Sequence, residues 1–222
     1  MQTLPEHFAT QMVDTFAALL LLTCFAIVAQ RRLSACVDLF ALQSVFLALT
    51  ATLVAFFTGI HHIYMAAALT VIIKVVIIPR ILKKVIRRLN VARELVMNVN
   101  IPAGLMICGT LVIVAFFITQ PIIPLGYLLT RDSLAISLAI ILIGFFIMIA
   151  RKKAVTQMIG FLVMENGLFL GATAAAYGMP MIVELGVFFD VLVGALIIGI
   201  YSHRLQDAFD SVDTSTLTTL KD

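Results

Sequence analysis

Apolar residues fill this chain in long unbroken runs. The polar residues between runs recur at intervals that suit helices of about 20 residues, the length needed to cross about 30 Å of hydrocarbon. The pattern predicts membrane spans near 12–30, 36–58, 62–82, 101–120, 133–150, 154–177 and 181–202. The runs lack period-2 alternation, which favours helices over the strands of a closed barrel. The expected fold is all-α: a polytopic membrane helix bundle with about seven transmembrane helices. The break between the second and third runs is short, GIHH at 59–62. The alternative there is a six-helix bundle with one bent or re-entrant segment.

Composition agrees with the pattern. Of 222 residues, 62% are hydrophobic and 12% charged, where ordinary soluble domains carry about 25% charge. Mean hydropathy is +1.13. Little chain remains for a water-soluble catalytic domain. We divide it into an N-terminal four-helix membrane region (1–120), a three-helix region (133–202) and a polar tail (203–222). The first eleven residues lack the basic stretch of a cleavable signal, so the first span is expected to stay as an anchor.

Charge placement adds an orientation. Arg31 and Arg32 follow the first span; Arg80, Lys83, Lys84, Arg87, Arg88 and Arg93 follow the third; Arg151, Lys152 and Lys153 lie between the fifth and sixth; Arg204 and Lys221 follow the seventh. Alternating crossings put all of these on one side and Arg131 on the other. Lys and Arg accumulate in cytoplasmic loops. The expected topology therefore has the N-terminus outside and the C-terminus cytoplasmic. The basic run RILKKVIRRL abuts a span, so it reads as a topology signal and no nucleic-acid partner is expected.

Several chemistries lose support. Cys24, Cys36 and Cys108 are isolated, with no CxxC pair for a cluster. HExxH, GxSxG and Walker A motifs are absent. His61 and His62 sit at a predicted outer loop and read as a helix cap. No metal, cofactor or catalytic residue is expected. An intramembrane protease would need a serine–histidine pair or two deep aspartates, and Asp190 is the lone deep aspartate.

The candidate chemistry is carried by ionisable residues inside the spans, where a charge costs at least a few kcal/mol. Glu165 lies roughly 16 Å into the sixth span, and Asp190 roughly 14 Å into the seventh from the opposite surface, at 1.5 Å per residue. A short turn, YGMP, joins these spans as antiparallel neighbours, so the two carboxyl groups share a depth. Glu184 stands nearer the outer surface and about 240° round the helix from Asp190. Lys74 lies deep in the third span, either snorkelling to the surface on its long stem or coupled to a carboxylate. Pro79, five residues on, is placed to bend that helix. Asn166, Gln157 and Gly194 are supporting candidates: a hydrogen-bonding amide, a polar trace toward the cytoplasm, and space beside Asp190. Gly160, Gly167 and Gly171 thin one side of the sixth span, as close helix packing requires. Asp14 and Asp38 read as interfacial carboxylates, and Arg131–Asp132 as a solvated pair.

GFLVMENGLFL followed by VELGVFFDVLVGALIIGI resembles the hydrogenase-4 component E family, together with KVVIIP in the third span and the polar ending VDTSTLTTLKD. The resemblance covers essentially the whole chain. Spans five to seven are also similar to the small subunit K of respiratory complex I and to the C subunit of Mrp-type antiporters. Those carry a mid-membrane glutamate on one helix and, on the next, an acid followed four residues later by glycine. Glu165 and Asp190–Gly194 match those positions. Asp190 stands where the complex I protein has glutamate, and Asn166 directly follows Glu165, a different asparagine spacing.

The resemblance implies a membrane subunit without a redox centre in a multisubunit, complex I-related hydrogenase complex. Its implied partners are large antiporter-like subunits, other membrane-arm subunits and, indirectly, a peripheral [NiFe]-hydrogenase arm. It implies a multi-pass place in the bacterial inner membrane and a relay of protons or cations through Glu165 and Asp190, to which depth in the spans adds Lys74 as a modulator and Glu184 as an exit site or inter-subunit contact. The other readings are an Mrp-type Na⁺/H⁺ antiporter subunit and a stand-alone small carrier.

Overall fold

A computed structural model describes residues 4–59, 61–88, 99–120, 131–152 and 154–176. Among them the regular structure is helical throughout: α1 (Leu4–Ala29), α2 (Leu33–Thr58), α3 (His61–Thr70), a π-helical segment (Val71–Ile77), α4 (Ile78–Arg88), α5 (Ile101–Thr119), α6 (Arg131–Ala150) and α7 (Ala154–Ala176). The π segment joins α3 to α4 as one continuous rod. Six stretches are therefore long and apolar enough to cross a membrane, with Ile63–Arg87 as the third. They coincide with the first six predicted runs. The seventh run lies outside the described residues, as do Glu184, Asp190, Gly194 and the tail.

The short break at 59–62 separates two helical stretches, each long and apolar enough to cross a membrane. Gly59 ends α2 in the left-handed region at φ 71°, its N–H bonded back to Ala55 O. Glycine has no Cβ to clash there. α3 then starts afresh at His61, so His61 and His62 form its first turn.

α2 is the middle of the bundle, packed on α1, on the α3–π–α4 rod and on α7; α6 bridges α1, α5 and α7. α1 and α6 run parallel, held at one end by Ser133 Oγ donating to Asp14 Oδ1 at 3.0 Å. At the other end, Arg151 reaches the last carbonyls of α1. Near that second end Lys83 of α4 pairs with Asp38, in the second turn of α2.

Lipid offers helices little hydrophobic drive to associate, so close backbone approach must do more of the packing. α6 and α7 achieve it through glycine. A Cβ on Gly144 would lie 2.7 Å from Met164 N, and one on Gly160 would lie 2.9 Å from Met148 N. Gly167 likewise faces the backbone of Ile141. Gly109, on the outer flank of α5, faces open space. Gly144→Ala should therefore lower the melting temperature of the purified protein, at an overpacking cost of about 1–3 kcal/mol, while Gly109→Ala leaves it unchanged or raised. Cys24, Cys36 and Cys108 are buried, so a thiol-reactive fluorophore that labels them on unfolding can follow both melts.

Candidate functional site: a polar layer at mid-membrane

The third rod places Lys74 at the centre of its π-helical segment. Pro79 cannot donate to the carbonyl four residues back, and its ring crowds that carbonyl. Just before it the helix widens, and Ile78 N–H bonds to Ile73 O, five residues back. Such π turns cluster at functional positions. Lys74 does not snorkel. Its side chain is 2% exposed, and its ammonium lies 2.9 Å from Glu165 Oε1, itself 2% exposed.

A polar layer continues sideways from this pair. Lys74 Nζ donates to Asn166 Oδ1 at 3.2 Å. Asn166 Nδ2 donates to Gln43 Oε1 at 3.1 Å and to Ser44 Oγ at 3.3 Å. Gln43 Nε2 donates to Leu20 O at 3.3 Å and to Cys24 Sγ at 2.9 Å. The layer thus passes from the third rod through α7 and α2 to α1. Lys74, Glu165, Asn166, Gln43, Ser44 and Leu20 each lie within two residues of the midpoint of their own span. All of the side chains are buried. In hydrocarbon an unmatched polar group costs several kcal/mol, so shared depth is what allows six such groups to coexist.

The structure brings together Lys74, Glu165 and Asn166 of the sequence candidates. Gln157 stands apart: its side chain is exposed and Nε2 donates to Arg151 O at 3.0 Å. Asp38 is exposed and pairs with Lys83 of α4. Asp14 accepts the Ser133 hydroxyl at the far end of α1, and Asp132 is exposed in the first turn of α6. Gln43 and Ser44 escaped the sequence reading, which searched for charge. The signal was present, since two adjacent polar residues interrupt the middle of an otherwise apolar run, LFALQSVFLAL.

Arg151 escaped it too. Read as one cation of a loop, it is 2% exposed. Its Nη2 is shared by Ile27 O, Val28 O and Gln30 O, each at 3.2 Å. These carbonyls close the C-terminal end of α1, where a cation is favoured. Burial pulls the guanidinium below its ordinary value.

Among the described residues, no group of three or more His, Cys, Asp or Glu gathers as a metal site. The fold and the polar layer define a polytopic helical membrane protein that holds an ion pair and an amide chain at the centre of its bundle. An uncharacterized protein of Mycobacterium tuberculosis is 32% identical over 95% of this chain and 96% of its own length. Hydrogenase-4 component E of Escherichia coli K12 and that of Shigella flexneri are each 24% identical over 96% of this chain and 98% of theirs. The chain belongs to the hydrogenase-4 component E family. No protein-family model matches the chain. No solved structure matches it.

Breaking a buried pair strands its partner's charge. Lys74→Met and Glu165→Gln should each destabilise the protein by about 3–5 kcal/mol, whereas the apolar double variant Lys74→Met/Glu165→Met should recover most of that loss. Thermal melts of the four proteins test this; single variants as stable as the parent would contradict it.

Proposed function

We propose that the chain is a membrane subunit of a multisubunit hydrogenase complex in the bacterial inner membrane, and that it contributes a buried ion pair to proton or cation translocation. Family membership supports the first part. The Lys74–Glu165 pair, buried at mid-span, carries the second. An uncompensated charge at this depth is costly, so the pair responds strongly to a change in its own separation. One pH unit of proton affinity corresponds to about 1.4 kcal/mol. A partner rearrangement that altered the ammonium–carboxylate contact by a few times this amount would switch Glu165 between holding and releasing a proton.

Asp190 and Glu184 extend the proposal along the next predicted span. Asp190 shares the depth of Glu165 by sequence count and would receive or supply its proton. Glu184, nearer the outer surface by sequence count, would be an exit position or a docking point for a neighbouring subunit, and Gly194 would leave room beside Asp190. Large antiporter-like subunits and other membrane-arm subunits are the proposed partners, with a peripheral [NiFe]-hydrogenase arm acting through them. A resemblance of spans five to seven to complex I subunit K and to the C subunit of Mrp-type antiporters would agree with this role. Electron transfer would belong to the complex, and the N-terminus would lie outside with the tail cytoplasmic.

The test is Glu165→Gln in the assembled complex, reconstituted in liposomes. Hydrogen evolution or oxidation should persist while the linked proton movement falls at least tenfold. Full proton pumping in the assembled variant would sink the relay. Cation–proton exchange by this chain alone in liposomes would favour a stand-alone carrier instead.

A further inference from the structure

Arg151 is a buried cation whose guanidinium is half used. Its Nη2 is taken up by Ile27 O, Val28 O and Gln30 O, and the residue is 2% exposed. Its Nη1 is also buried and, among the described residues, meets no hydrogen-bond acceptor. Asp38, the acid in the second turn of α2, is exposed and pairs with Lys83. Carbonyl dipoles offset part of the guanidinium charge. An unmade hydrogen bond on a buried charged group remains costly, so Nη1 calls for an acceptor that carries negative charge.

The neighbours of Arg151 along the chain suit the same kind of ligand. Arg31 and Arg32 directly follow Gln30, whose carbonyl Arg151 takes, and both are exposed. Lys152 directly follows Arg151 and is exposed. α2 begins behind Arg32 with no side-chain cap and no acid in its first turn. The first turn of α7 also contains no acid, and Gln157 at its end donates back to Arg151 O. The opening N–H groups of a helix have no partner within it and favour anions.

Depth selects the anion. The apolar spans Thr10–Ala29 and Asp132–Ala150 both end here, where hydrocarbon gives way to headgroups. Ile149 and Phe145, about one and two turns before Lys152, are 77% and 48% exposed. Residues at this spacing share one helix face. An apolar strip that leads up to a cation matches a lipid, with an acyl chain along the strip and a phosphate at its head. A soluble anion has no use for the strip. Basic pockets between membrane helices are suited to anionic headgroups.

We propose that Arg151, Arg31, Arg32 and Lys152 bind the phosphate of an anionic phospholipid. Arg31, Arg32 and Lys152 meet it from the bilayer surface. Arg151 Nη1 donates to it from within, once the side chains that cover this nitrogen part. Arg151 then has acceptors for both halves of its fork, the α1 backbone on Nη2 and the lipid on Nη1. The lipid ties the turn between α1 and α2 to the turn between α6 and α7.

The full chain, purified in neutral detergent, tests this with phosphatidylglycerol, phosphatidylcholine and inorganic phosphate as probes. By native mass spectrometry the parent should retain phosphatidylglycerol about tenfold better than phosphatidylcholine, and added phosphatidylglycerol should raise its melting temperature. Arg31→Gln/Arg32→Gln/Lys152→Gln leaves the bonds from Arg151 to α1 in place and should lose that preference. Arg151→Lys keeps the charge but lacks Nη1, and should lose the lipid-dependent rise; if it does not fold, the triple variant carries the test. An equal charge removed from exposed positions of α4, in Arg80→Gln/Lys84→Gln/Arg87→Gln, should leave both readouts as in the parent. The proposal is overturned if the parent retains the two lipids equally, or if the first triple variant keeps the preference. It is equally overturned if a folded Arg151→Lys keeps the rise or if the α4 variant loses as much as the first. Inorganic phosphate that raises the melting temperature as the lipid does would replace the lipid with a free anion.

Discussion

A charge placed in the middle of a bilayer must find its counter-charge at the same depth, and this constraint sets much of the bundle. Lys74 comes down the third rod and Glu165 up α7, so their contact at 2.9 Å fixes the height of one helix against the other. The ammonium has more than one hydrogen to place, and Asn166, next to Glu165, takes one of them. From there each bond dictates the next, through Gln43 and Ser44 on α2 to the backbone of α1. Four spans are thereby placed in register by polar groups that occupy one thin layer. The apolar residues above and below that layer allow many sliding positions; the layer allows far fewer.

Around this centre the rest of the fold supplies rigidity in two ways. α6 and α7 approach closely enough that glycine is needed at Gly144, Gly160 and Gly167, so the helix bearing Glu165 has a firm back. At the basic end Arg151 holds the turn between α6 and α7 against the close of α1. The third rod differs. It meets the pair through a π-helical segment, whose wider turn accommodates Pro79 and carries Lys74. The lysine thus rides on the least regular stretch of helix in the described bundle, while its acid sits on one of the best-packed.

Much of this architecture was readable beforehand, because run length and apolar content are the physics of spanning a bilayer. The first six runs, the break at Gly59 and the deep positions of Lys74 and Glu165 all follow from counting residues. What counting could not provide was azimuth. Helical period fixes which residues share a face, but in a helix that is apolar all round it does not say which face meets which neighbour. Lys74 therefore stood open between snorkelling and pairing until the packing of the third rod against α2 and α7 was known. Gln43 and Ser44 were passed over for a different reason: they are uncharged, and their value comes from partners on α1 and α7. Arg151 was placed in its loop by the sequence, but its burial depends on the end of a helix more than a hundred positions earlier.

That separation bears on how the chain is made. The carbonyls of Ile27 and Val28 receive their arginine from 124 and 123 positions downstream, and Gln43 receives Asn166 from 123 positions downstream. Synthesis proceeds from the N-terminus at about 5–20 residues per second. The early hairpin of α1 and α2 therefore enters the membrane several seconds before the residues that complete it exist. During that interval the end of α1 and the amide of Gln43 must rely on water, lipid headgroups or the insertion machinery, and Lys74 arrives before its acid. The last helix described is thus the keystone of the bundle in time as well as in space: with α7 in place, the helices already inserted acquire the partners that hold their polar centre together.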